Sequence, residues 1–186
     1  LLLIFSYLAS MILTETVIRD IEQSALELRQ VLGGFSAEQF NYKSSDQSWS
    51  PGQLAEHILL FDILINRILK GEFKKAERPA DEMLESIRKY FANQEKTIPL
   101  SPIVMPSDTL KDRAALTEKI NLQRHQFVWV VKTMDLSPVC LSFVHPELGE
   151  LTRLEWIYFG IAHTARCAAQ LREGEFSNSA VNKVER

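Results

Sequence analysis

Four stretches of this chain repeat apolar side chains at the helical period, and no stretch of comparable length alternates with the period of two that a half-buried strand needs. In the first, Thr14, Val17, Ile18, Ile21, Ala25, Leu28 and Leu32 share one face, and Gly33-Gly34 stops it, as glycine does past a helix end. The second opens on Ser50-Pro51-Gly52-Gln53. Ser50 suits the N-cap, Pro51 the first helical position, and Gln53 completes a capping box. Leu54, His57, Phe61, Leu64, Ile65 and Ile68 form its stripe, with Glu56, Asp62, Asn66, Arg67 and Lys70 placed off it and Gly71 at its end. The third follows Ser107-Asp108 and buries Leu116, Ile120, Phe127, Val130, Val131 and Met134. The fourth begins with a second capping box, Thr152 and Glu155, and runs to about Arg172 before Gly174.

Four amphipathic helices bury their stripes most simply against one another, which predicts an all-α four-helix bundle. An additional short helix, roughly Ala80 to Gln94, and a long loop carrying Pro99, Pro102 and Pro106 lie between the second and third. A connection of that length inside a compact domain is often functional. Val139 to Val144 reads as a short extended stretch with no partner. Glycine content agrees with a helical chain: 7 of 186 residues, roughly 4% where ~7% is usual. The length fits one domain, placed at residues 11–175 with a polar tail over 176–186.

The leader is the compositional oddity. From Leu1 to Leu13 only Ser6 and Ser10 are not apolar, and the first charge is Glu15. A bilayer-spanning helix needs about 20 apolar residues, so this run is too short to cross. It has neither the basic n-region nor the small-x-small cleavage site of a signal peptide. Two readings stand: an extension ahead of a cytoplasmic domain that begins near Met11, which is preferred, and a clipped targeting segment. The first expects residues 1–10 to touch the bundle core little.

A net charge of −3 without a basic block gives no electrostatic footprint for nucleic acid. Cys140 and Cys167 cannot build a disulfide framework. One bridge or two reduced thiols are both compatible with the count. No nucleophile elbow, P-loop or dinucleotide fingerprint is present, and the Glu-x-x-His pattern of di-iron bundles is missing from all four helices.

Chemistry concentrates on two helices. His57 lies within the second stripe, and His163 lies on the Trp156-Phe159 face of the fourth. Cys167 follows His163 by four residues, so the two stack on one face. Three protein ligands with one open position is the catalytic zinc pattern, and imidazole with thiolate suits zinc, nickel or iron. The bland alternative is a hydrogen-bonded core histidine beside a cysteine acting as a small hydrophobe. His145, before Pro146, reads as a loop anchor or a pocket residue, His125 as solvated, and Trp49 as a staple or lid. The fourth helix is apolar on its opposite face too, at Leu154, Tyr158, Ile161, Ala165 and Ala168, which suggests a second subunit.

Three stretches resemble the DinB/YfiT-like family of bundle metalloproteins. Trp49-Ser50-Pro51-Gly52-Gln53-Leu54-Ala55-Glu56-His57-Ile58 looks like the family's helix-opening, first-ligand segment. His145-Pro146-Glu147-Leu148-Gly149-Glu150-Leu151-Thr152, with Glu155-Trp156 after it, looks like the lead-in to the last helix. His163-Thr164-Ala165-Arg166-Cys167-Ala168-Ala169-Gln170 resembles the family's His-x-x-Arg-His-x-x-Gln signature, with Cys167 where the family has histidine. The resemblance implies a divalent metal, zinc or nickel, held by His57, His163 and Cys167, and a homodimer; the charge balance and the short leader point to no nucleic-acid or membrane partner. It further implies a thiol-dependent S-transferase that activates a low-molecular-weight thiol. Its small-molecule pocket would be walled by Trp49, Trp156 and Phe159, rimmed by the proline loop, with Arg166 and His145 nearby. No residue is assigned a catalytic role. The alternative is a metal-free, non-catalytic binding or dimerisation module, since Cys167 replaces the third histidine; hydrolysis through a bound water is a third reading.

Overall fold

The periodic stretches become the long helices of the structure, a computed structural model that describes residues 2–45, 48–92 and 101–174, with side chains from residue 11 onward. Six α-helices are described: α1 (Leu2–Gly33), α2 (Ala37–Asn41), α3 (Pro51–Lys70), α4 (Leu84–Ala92), α5 (Arg113–Thr133) and α6 (Arg153–Glu173). The capping boxes at Ser50 and Thr152 both form, each side chain accepting from the backbone N–H three residues on. The helix α2, opened by a capping box at Ser36, was not foreseen. Helix α1 runs through Met11 without a break. The packing of residues 1–10, the 176–186 tail, Pro99 and the expected helical residues 93–94 lie outside what is described.

Helices α1 and α3 each pack against both α5 and α6, so the bundle closes in the order α1, α5, α3, α6. The all-α four-helix bundle is therefore the fold. This ring corrects the sequence expectation for α3. Asp62 and Asn66, placed off its stripe, are buried, because a helix touching two neighbours buries a wider face than one stripe. Gly160 on α6 permits the close approach on one side: a Cβ there would sit 3.0 Å from Ile65 Cδ1 and 3.4 Å from Phe127 Cε2.

Two further expectations are corrected. Helix α5 starts at Arg113, not after Ser107-Asp108, and its N-cap is Asp112, whose side chain accepts from Ala115 N at 3.0 Å. Ser107 and Asp108 are engaged elsewhere: Ser107 N donates to Glu56 and Gln53 Nε2 donates to Asp108. The extended stretch is not alone either. Strand β1 (Phe73–Lys74) and β2 (Val139–Cys140) pair antiparallel, with Phe73 opposite Cys140, and Cys140 N continues to Leu151 O at 2.9 Å. This hairpin-like seam ties the end of α3 to the start of α6. Both cysteines are buried and free.

The core is two apolar clusters stacked along the bundle. One holds Val17, Ile21, Ile65, Leu69, Phe127, Val130, Trp156 and Phe159. The other holds Leu28, Leu32, Leu54, Ile58, Leu116, Ile120, Cys167 and Leu171. Every long helix crosses from one cluster to the other, and at the crossing each carries a buried polar residue: Ser24 on α1, Asp62 on α3, Arg124 on α5, His163 and Thr164 on α6.

Much of the second apolar face of α6 is covered within the chain. Leu154 and Ala168 are buried, and Tyr158 Oη donates to Asp20 on α1 at 2.9 Å. Ala165 remains exposed. No helix among the described residues is long and apolar enough to cross a membrane.

Candidate metal centre

His57 and His163 face each other across the α3–α6 contact with their Nε2 atoms 3.1 Å apart. Cys167 Sγ lies 3.7 Å from His163 Nε2, and the three ligand atoms all lie within 4.8 Å of one another. Tetrahedral zinc with nitrogen at 2.0–2.1 Å and sulfur at ~2.3 Å places its ligands about 3.3 Å (N to N) and about 3.6 Å (N to S) apart. Cys167 thus reaches the cluster despite its shorter side chain. All three residues are buried.

The two histidines are held differently. His57 Nδ1 lies 2.8 Å from Val104 O. A carbonyl only accepts, so Nδ1 carries the proton and Nε2 presents its lone pair to the cluster. Val104 belongs to the 3-10 turn Pro102–Val104, which makes the proline loop a wall of this site. His163 is fixed by stacking: Phe61 lies parallel to it at 3.9 Å, and Phe159 stacks on Phe61 at 5.8 Å. Its Nδ1 is buried without a hydrogen-bond partner among the described residues. Because His57 Nε2 is unprotonated, the 3.1 Å contact makes His163 Nε2 the donor in the metal-free cluster, and its proton would move to Nδ1 for Nε2 to serve as a ligand.

Burial sets the protonation states. It lowers the pKa of His57, partly opposed by the Val104 carbonyl. It pushes His163 well down, helped by the charges of Arg124 and Arg166 and by His57 wherever that ring is protonated. Both rings are neutral at pH 7, the form that binds metal. Burial pushes the Cys167 thiol up to about 12; Arg166 and Arg124 work against this and Asp62 with it. A cation would have to displace that proton. The donor set is borderline-soft nitrogen and sulfur at usable spacing, with one imidazole already donating to a carbonyl as metal-bound histidines do. The residues fit a zinc-like ion.

Beside the cluster lies the polar layer, which sequence reasoning missed. Arg124 Nε is 2.9 Å from Asp62 Oδ2, with both side chains buried. Arg124 Nη2 donates to Thr164 Oγ1, which donates to Gly160 O. Burial raises Asp62 to about 6, against the pull of Arg124.

The expected pocket residues divide. Trp49 is at the site, half-buried with its ring 5.2 Å from His57. Phe159 stands behind Phe61. Trp156 does not line the cluster: it is fully enclosed in the first apolar core, against Phe159, Phe143 and His145. His145 anchors its loop, since its Nδ1 accepts from the backbone N–H of Glu147 and Leu148 at 3.2 and 3.1 Å. Its ring packs edge-on against Tyr90 at 5.1 Å. Arg166 is half-buried on α6 and contributes its charge to the cluster. His125 is exposed, as expected.

Comparison with known proteins gives the chain a relative and a family. The uncharacterized protein YuaE of Bacillus subtilis (strain 168) is 23% identical over 151 residues, covering 81% of this chain and 92% of that protein. No solved structure matches the chain. The family model of the DinB superfamily matches residues 20–171, a span that includes His57, His163, Cys167 and the polar layer. The chain belongs to the DinB superfamily.

Proposed function

We propose that this protein is a metal-dependent thiol S-transferase whose ion is held by His57, His163 and Cys167. The observation that carries the reading is the convergence of two imidazole nitrogens and one sulfur within 4.8 Å. A zinc or nickel ion there would supply the Lewis acidity that turns a low-molecular-weight thiol into a thiolate at neutral pH. The chain's own residues do the rest. Val104 O holds His57 in the tautomer whose Nε2 lone pair faces the cluster. Phe61 keeps the His163 ring from rotating. Trp49 and the Pro102–Val104 turn shield the cluster from bulk water. The reaction is attack of the thiolate sulfur on an electrophilic small molecule, forming a thioether and releasing the leaving group. The homodimer belongs to the same proposal and is read by sedimentation.

A second reading has its own observation. His163 Nε2 at 3.1 Å from His57 Nε2 can donate to it directly, and the Cys167 thiol is neutral. The cluster can therefore satisfy itself as a metal-free bundle with a binding or dimerisation role. Metal analysis of purified protein separates the two. Copurified zinc or nickel, lost in Cys167→Ala, supports the transferase reading, and a thiol-transfer assay with an electrophilic dye then tests the reaction. No copurified metal and no binding in the micromolar range sinks it. Metal binding gained only in Cys167→His establishes the metal-free reading.

A further inference from the structure

The segment between the Pro102–Val104 turn and α5 is fastened to the first two turns of α3 by a buried polar latch. Lys111 Nζ lies 2.6 Å from Glu56 Oε2, with the Lys111 side chain only 4% exposed. Its ammonium also donates to Ser107 Oγ and, at 3.0 Å, to Thr109 Oγ1. Ser107 N donates to the same Glu56 oxygen at 2.7 Å. A buried ammonium is tolerated only when paired and hydrogen-bonded in this way. The lysine stem crosses the helix where α3 has no side chain: a Cβ on Gly52 would sit 2.9 Å from Lys111 Cγ.

The latch closes one residue before His57 on the helix, through Ser107 three residues after Val104 and Lys111 seven residues after it. Val104 O is the acceptor that fixes His57 Nδ1–H. The carbonyl is not held by a regular helix or sheet, so its place depends on the loop's anchors. We propose that Lys111 and Glu56 are positioning residues for the metal centre: their ion pair holds the Val104 carbonyl against His57 and thereby sets which ring nitrogen faces the cluster. The inference rests on the proposed metal site for its consequence, but its geometric part concerns His57 alone. The partner groups of metal-bound histidines are worth roughly 10–100-fold in affinity, and the latch acts one step behind such a partner.

The test uses the full chain with Lys111→Met, which keeps the stem over Gly52 and removes the ammonium, and with Glu56→Gln. Circular dichroism first confirms that each variant is folded. Nitrogen-15 NMR of the histidine rings in metal-free protein then reads the tautomer. The parent is expected to show His57 protonated at Nδ1, and Lys111→Met is expected to show a mixture of both tautomers. Chelator competition with zinc alone is expected to show about a 10-fold loss of affinity in either variant. Lys43→Met, which breaks the outer contact to Asp108, is the control expected to change neither. A folded Lys111→Met variant with an unmixed His57 tautomer and parental zinc affinity overturns the inference. If the parent binds no zinc, the metal reading fails while the tautomer comparison still decides this one.

Discussion

Zinc binding is expected to release one proton per ion, and that proton comes from Cys167. Burial places the thiol at about 12, so at pH 8 only about one molecule in ten thousand carries the thiolate, and the thiolate is the ligand. His57 and His163 are both pushed below the ordinary histidine value. Above pH 7 they are already neutral and give up nothing when they bind. The apparent association constant therefore rises about tenfold per pH unit, roughly 1.4 kcal/mol. Between pH 7 and pH 9 that is about a hundredfold. Calorimetry of zinc binding in buffers of different ionisation enthalpy counts the protons directly, and chelator competition at several pH values gives the slope. Cys167→Ala is expected to bind more weakly with one proton fewer released, and Cys167→His to bind with no thiol proton to lose. Zinc binding by the parent without proton release at pH 8, or a proton count unchanged in Cys167→Ala, would refute the reasoning.

Other outcomes follow from the buried layer and the caps. Arg124→Met leaves the buried Asp62 carboxylate without its counter-charge and is expected to cost about 3–5 kcal/mol in urea unfolding at pH 8; Asp62→Leu with Arg124→Met is expected to be near neutral or stabilising, and a loss as large as the single change's would count against the pairing. The carboxyl of Asp62 stands at about 6 in the fold, above its unfolded value. The native state therefore binds the extra proton, so this group's contribution is full below about pH 4 and is lost as pH rises through 6, roughly 3 kcal/mol. Unfolding profiles of parent and Asp62→Asn from pH 4 to 7 should converge at the acid end, and parallel profiles would contradict the assignment. Thr152→Ala removes a cap that accepts from Glu155 N and a donor to Ala80 O at 2.6 Å; about 1–2 kcal/mol of stability should be lost, read by thermal melting.

The helices and the three clustered residues were legible because their signals are local. Capping boxes at Ser50 and Thr152 set the start of α3 and α6, and His57 and His163 interrupt apolar stripes that point inward. Ser107-Asp108 misled for a local reason as well: serine and aspartate suit any N-cap, and the sequence does not show that both are spent on the α3 end of the loop. The Val139–Cys140 pairing needs a partner some 65 residues away, and two-residue strands carry no period. Asp62 and Arg124 were illegible because a charge at the edge of a stripe reads as solvated until the helix is known to face two neighbours. Trp156 read as a pocket wall from its place on the His163 face, yet two turns of helix put it in the other apolar cluster.

The replacement of histidine by Cys167 bears on which chemistry the site can support. Two neutral imidazoles and a thiolate leave a divalent ion one positive charge weaker than three imidazoles would. Such an ion must work harder on whatever it ionises. Bringing water from about 15.7 to neutrality asks for roughly 12 kcal/mol of differential stabilisation, whereas bringing a thiol from about 8.5 asks for roughly 2 kcal/mol. Thiol activation therefore tolerates the loss of charge that hydrolysis does not. Arg166 and Arg124 favour the thiolate form of Cys167, and Asp62 opposes it. The proposed thiol transfer would therefore ask less of an ion held by this donor set than hydrolysis would.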